Sequence, residues 1–143
     1  MTNRIIKFRA WSKLLNCMSE ILELDFEHDA IRCIPGHLPK NKLSDCILMQ
    51  FTGLTDKNGK EIYEGDILKG ISEEARIMGN LMLISGMVGR VGVVKFIDGG
   101  WTWSNPSCEE AILTAWGSSH KKGPILDQVE VIGNIYENPE LLK

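Results

Sequence analysis

The first clear pattern in the chain has a period of two. In "IIKFRAW", Ile6, Phe8 and Ala10 fall on one face and Lys7 and Arg9 on the other, as in a half-buried strand. Lys13 to Asn16 suit a tight hairpin turn into a second strand through Met18 and Ile21. Leu14, Leu15, Met18, Ile21 and Leu22 also fit helical spacing, so a short helix competes there. In "ILELDFEHDAIRCI", Leu22, Leu24 and Phe26 share one parity and Glu23, Asp25 and Glu27 the other. "EHDA" reads as a turn and "IRCI" as a returning strand. "PGHLPKNKLSD" is a loop by its prolines and glycine, and "CILMQFTGL" is the next strand.

The most patterned stretch is "QFTGLTDKNGKEIYEGDIL", Gln50 to Leu68, and its residues suit turns. Asp56 can accept hydrogen bonds from the amides ahead of it, and Asn58 and Gly59 tolerate positive φ where the chain reverses. Gly65 is expected in a conformation other residues would strain to reach, with Asp66 satisfying local amides before the strand "ILKG". "RVGVVKFID" is a strong strand, and "DGGWTW" a turn followed by an aromatic strand. "EVIGNIYENPELL" supplies a last strand with Gly133 as a bulge, then a helical turn opened by Asn138-Pro139. Between Gly70 and Gly89 the pattern breaks into a methionine- and glycine-rich insertion, part helix and part flexible. The fold class is mainly β, a β-rich α+β chain.

At 143 residues, one domain able to bury a core without staples is the expectation. A net charge of -3 disfavours nonspecific DNA binding, although a local basic patch stays open. Cys17, Cys33, Cys46 and Cys108 make no C-x-x-C pair, which argues against a zinc ribbon or redox motif. "MTNRIIKFRAW" is charged and alternating rather than secretory, and "IMGNLMLISGMVG" is too short and glycine-rich to span a bilayer. These features lead to a cytoplasmic protein whose thiols are reduced, small core residues.

Candidate chemistry is sparse. His28, His37 and His120 are far apart, and Cys108-Glu109-Glu110 with His120 would need the fold to assemble a nucleophile and base. Asp56, Glu61, Glu64 and Asp66, with Asp98, could serve a metal-dependent nuclease or hydrolase if at least three meet in a cleft. They lack calcium-loop spacing, and Asp56 and Asp66 already have turn duties. Trp101 and Trp103 share a parity, and such pairs more commonly fill a core. On an open face they would stack bases, with Lys95, Lys121 and Lys122 on phosphates, and would favour single strands. Met78, Leu81, Met82, Leu83 and Met87 give the insertion an apolar content suited to a contact within a homo-oligomer. No catalytic, metal-binding or cofactor-binding residue is assigned, and no cofactor is expected.

"IKFRAW", "MQFTGLTDKNGKEIYEGDIL", "GVVKF" and "VEVIGNIYENPELL", in that order, resemble the YopX family of bacteriophage and prophage proteins. The segments from about Gly70 to Gly89 and Leu24 to Ser44 depart from its pattern. The resemblance implies an SH3-like small β-barrel core with an additional antiparallel β subdomain, in a phage-encoded protein of the bacterial cytoplasm. It brings no catalytic residues. The expected organisation is one YopX-like domain over 1–143, with a β-rich part at 1–48 and a barrel-like part at 49–143 carrying the insertion at about 70–89. The expected role is a non-catalytic interaction module contacting a host or phage macromolecule. The metal-dependent hydrolase and single-stranded nucleic-acid binding are the alternatives, and no membrane is involved.

Overall fold

The structure, a computed structural model, describes residues 5–34, 41–70, 89–105, 108–112 and 129–143. It falls into two compact units, Met1–Gly53 and Leu54–Lys143. Both are built from antiparallel strands, and among the described residues neither sheet closes into a barrel.

The first unit contains β1 (Phe8–Ser12), β2 (Cys17–Asp25), β3 (Ala30–Ile34), β4 (Asn41–Lys42) and the start of β5 (Cys46–Thr55). The spatial order is β4-β3-β2-β1-β5, and β5 runs on past the unit boundary to β6 (Glu61–Tyr63). Lys13–Asn16 forms the turn between β1 and β2, with Asn16 at φ 50, so the hairpin holds over the competing helix. Inside the sheet, Ala10, Cys33 and Cys46 are buried with Ile21, Ile31 and Leu48 packed against them. The three described thiols Cys17, Cys33 and Cys46 are free.

This sheet is bent, and two short contacts show why. β2 has nine residues, which in a straight strand would span about 30 Å. Yet the residues beyond its two ends hold neighbouring positions of one 3-10 turn, Leu43–Asp45. Lys13 donates its backbone N–H to the Asp45 carbonyl at 3.2 Å. At the other end, Asp29 accepts from the Ser44 N–H at 2.8 Å and the Ser44 hydroxyl at 2.7 Å. The strand can satisfy both only by folding over, and its register shifts between Ile21 and Glu23. A bulge of this kind kinks its strand and re-aims its side chains. That disturbs the alternation expected of Leu22, Leu24 and Phe26: Leu24 is half-buried, whereas Leu22 and Phe26 are exposed.

In the second unit, β7 (Asp66–Gly70), β8 (Val91–Ile97), β9 (Gly100–Asn105), β10 (Cys108–Ile112) and β11 (Val129–Asn134) follow β6. The order is β10-β9-β8-β7-β11: a meander whose first strand also takes the last strand alongside it. β8 and β9 turn on Asp98 and Gly99, both at positive φ, as a two-residue hairpin requires. The core joins Ile62, Leu68, Val94, Trp101, Trp103, Val129 and Val131, with Leu54 against it. Trp103 lies so close over β8 that a Cβ at Gly92 would meet its Nε1 at 2.4 Å and the Ser104 carbonyl oxygen at 2.7 Å. The register of β11 shifts between Val131 and Gly133, the bulge expected at that glycine. Pro139–Leu142 forms the last turn, of 3-10 type.

Candidate functional site

The long central motif folds into two turns, and its two buried carboxylates, Asp56 and Asp66, are turned toward the chain's own backbone. Asp56 is 5% exposed. One carboxylate oxygen accepts from the N–H groups of Asn58 at 2.8 Å and Lys60 at 2.9 Å. The other accepts from the N–H of Val131 at 3.0 Å. Lys57 adds a backbone bond from its N–H to the Val129 carbonyl, 3.2 Å. Its ammonium pairs with Glu130 at 2.9 Å, and the Asn58 side-chain amide donates to the same carboxylate at 3.3 Å. One edge of β11 pairs with β7; the turn at Asp56–Lys60 covers polar groups on the other. An unpaired strand edge is a template for another chain, and this turn acts as its cover.

Burial by itself would raise the Asp56 carboxyl pKa, but the backbone N–H groups of Val131, Lys60 and Asn58, together with the nearby Lys60 charge, outweigh it and hold the group below its ordinary value. Glu130 is also held low, by its hydrogen bond and charge pairing with Lys57.

The second turn, Tyr63 to Asp66, repeats the device. Asp66, 1% exposed, accepts from the Tyr63 N–H at 2.8 Å. Gly65 has φ 77; its N–H donates to Val94 and its carbonyl accepts from Ile135, both at 2.9 Å. The partner segment at the C-terminal end is capped in turn by Asn134, whose side-chain oxygen accepts from the N–H groups of Tyr136 and Glu137 at 3.0 and 2.9 Å. Asp66 and Asn134 are opposite one another in the ladder of β7 and β11.

The acids proposed for metal chemistry are therefore separated by function. Asp56 and Asp66 hold turns, Glu61 accepts from the Tyr63 hydroxyl at 2.8 Å, Glu64 is half-buried in the turn between β6 and β7, and Asp98 occupies the hairpin between β8 and β9. Among the described residues no three of His, Cys, Asp and Glu gather where they could hold a metal ion. His28 pairs with Asp25 at 2.8 Å at the exposed β2–β3 turn.

Trp101 and Trp103 are 3% and 6% exposed and sit in the core, so neither offers an open stacking face in this structure. Lys95 is exposed on β8. Phe96, also exposed, meets Trp101 edge to face at 4.9 Å and 62°. Lys121 and Lys122, the insertion contacts Met78, Leu81, Met82, Leu83 and Met87, the residues His37 and His120, and the Cys108-Glu109-Glu110 side chains lie outside the described residues.

The signal that sequence alone missed is on the β2–β3 hairpin, where Leu22, Phe26 and Ile34 are 51%, 74% and 46% exposed. The shared parity of Leu22, Leu24 and Phe26 suggested one face of a strand; the bulge after Ile21 takes Leu22 out of that register, and Phe26 lies beyond the end of β2. No helix among the described residues is long and apolar enough to cross a membrane.

The geometry defines a two-unit β protein whose longest polar motif secures its own strands. Residues 7–143 match the YopX protein family, and the chain belongs to that family. The crystal structure of protein EF1440 from Enterococcus faecalis is similar over 99% of this chain and 100% of its own, at 28% identity and a TM-score of 0.61. The crystal structure of protein yopX from Bacillus subtilis shares the fold over 96% of this chain and 95% of its own, at 19% identity and a TM-score of 0.55. No curated protein matches the chain.

Proposed function

We propose that the protein works by binding: a non-catalytic module that docks a host or phage macromolecule through the β2–β3 hairpin. The carrying observation is the exposure of Leu22, Phe26 and Ile34 on that hairpin. Phe26, 74% exposed at the tip, is the most exposed large apolar side chain among the described residues, and solvent-facing apolar surface of this kind is what a docking partner would cover. The tip is also held ready. Asp25 accepts from the N–H groups of Glu27 and His28, both at 3.0 Å, while Asp29 is tied to Ser44. A fixed tip loses little conformational freedom when a partner binds.

The reading extends to origin and assembly. A phage-encoded accessory protein acting in the bacterial cytoplasm agrees with the bacteriophage and prophage proteins that the family resemblance implies. The order β11-β7-β8-β9-β10 supports an SH3-type core for the second unit, within a single YopX-like domain whose N-terminal part is the added β subdomain. The apolar composition of 78–87 supports a homo-oligomer with that insertion at the contact. Sedimentation of the purified protein, with and without Ser72 to Ser85, tests the assembly; a monomer at micromolar concentration rejects it.

The docking surface is tested by a photo-crosslinking residue at Leu22 in host-cell lysate, with Phe26→Ser as the comparison. A specific partner that disappears in Phe26→Ser, with the melting temperature unchanged, is the expected result. Equal capture by both proteins would remove the hairpin as the docking surface.

A further inference from the structure

We propose that Asn58 is a site of spontaneous covalent modification: its side-chain amide is lost to the backbone nitrogen of Gly59, and the product releases the covered edge of β11. Asn58-Gly59 is the sole Asn-Gly pair in the chain. Both residues are exposed at the turn, and Gly59 has φ 81. Glycine places no side chain in the way of its own nitrogen, which makes this pair the dipeptide best disposed to cyclise.

The Gly59 nitrogen, once deprotonated, bonds to Cγ of Asn58. The bond from Cγ to Nδ2 breaks, and the amide nitrogen leaves as ammonia after taking up a proton. The resulting five-membered imide is opened by water at either carbonyl. Attack at one gives an aspartyl residue, attack at the other an isoaspartyl residue, in which the main chain runs through the former side chain. Solvent water is the only other reactant.

The neighbouring charges make the product disruptive. The Asn58 amide donates to Glu130 at 3.3 Å, and Glu130 already pairs with Lys57. Conversion replaces that donor with a second carboxylate beside the first. Asp56, a third carboxylate, is bound to the N–H of Asn58 itself. Like charges at this spacing repel. The isoaspartyl product also inserts a carbon into the backbone between the Asn58 and Lys60 N–H groups, both of which Asp56 holds. Either product loosens the turn, and with it the bonds to Val129 and Val131 that cover the edge of β11. The intact turn opposes the reaction, because the Gly59 N–H donates to the Asp56 carbonyl at 3.0 Å. Conversion in the folded protein is therefore slower than in a free peptide of the same sequence.

The test holds the purified full chain at mildly alkaline pH and tracks it by peptide mapping, with methylation by an isoaspartyl methyltransferase as a second readout. The expected result is a mass gain and methyl acceptance confined to the peptide bearing Asn58. Converted protein should also show a lower urea midpoint and species larger than those of the fresh protein in sedimentation. Asn58→Asp should show both changes without incubation, while Asn58→Gln should stay unconverted with the starting midpoint. The proposal is overturned if Asn58 keeps its amide in the folded chain while the free 50–68 peptide converts fully. It is equally overturned if converted protein keeps either its urea midpoint or its sedimentation.

Discussion

Asp56 and Val131 lie 75 positions apart and meet through a single 3.0 Å hydrogen bond from the Val131 N–H to the Asp56 carboxylate. With the bonds from Asn58 and Lys60, this makes one side chain the organiser of a turn and the seal of a distant strand. Replacing Asp56 with Ala leaves three backbone donors without that acceptor, one of them on buried Val131. The expected loss is about 1–3 kcal/mol, the cost of one buried donor left unpaired, since the two turn donors retain access to water. Urea unfolding measures it; a change within experimental error would show that the seal contributes nothing.

The same carboxylate sets an acid limit. The folded pKa of Asp56 lies below its ordinary 3.8, so the unfolded chain binds the proton first as pH falls. Its stabilisation is full well above 3.8 and is lost as pH falls through the lower folded value. Asp25 and Asp29 are held low by hydrogen bonds from His28 and Ser44, and Glu130 by Lys57, so all act in the same direction. Urea midpoints measured from neutral pH down to about 3 should decline across this window. Asp56→Asn should give a shallower decline, and parallel curves would contradict the assignment.

Gly92 is required by packing rather than by backbone conformation. A methyl group there meets Trp103 and the carbonyl of Ser104, and the latter belongs to the backbone of β9. Gly92→Ala should destabilise the second unit by about 1–3 kcal/mol, the usual cost of overfilling a packed core. It should also shift tryptophan emission, because Trp103 must move. Unaltered emission and stability would mean that β8 and β9 separate freely at this point.

The described thiols should react in a fixed order. Burial raises the pKa of Cys33, with Cys46 and Cys17 nearby adding to it, and burial followed by the charge of Asp45 does the same for Cys46. A thiol that is both buried and protonated is a poor nucleophile. Alkylation of native protein, read by peptide mapping, should label half-buried Cys17 before Cys33 or Cys46. Simultaneous labelling of all three would mean that the first unit opens as a whole.

Local patterns carried much of this architecture into view. β1 and β8 were legible as strands, but their expected alternation was not met: Ile6 is exposed, β1 buries Ala10, Trp11 and Ser12 in succession, and β8 buries Gly92, Val93 and Val94 in succession. The turn at Asn58-Gly59 and the conformation of Gly65 come from the residues themselves. The Gly133 bulge and the Pro139 turn were legible for the same reason, because each depends on near neighbours. The bond from Val131 to Asp56 was not, since nothing in "TDKNG" tells which distant strand its spare carboxylate oxygen will meet. The exposure of Leu22 was hidden too: a single bulge reverses facing, and periodicity cannot register one extra residue. Trp101 and Trp103 were legible as a pair on one side, but whether that side was covered depended on β7 and β11.

The pairing of β7 with β11 bears on how the protein is made. The sheet of the first unit uses no strand later than β6, so all its strands are available while the remainder is still being translated. The second cannot, because Leu68 waits for Val131, and Asp56 keeps one oxygen unmatched until the same residue has left the ribosome. During that interval the nascent chain carries β7 with one partner missing, an open edge of the kind that chaperones shield during synthesis.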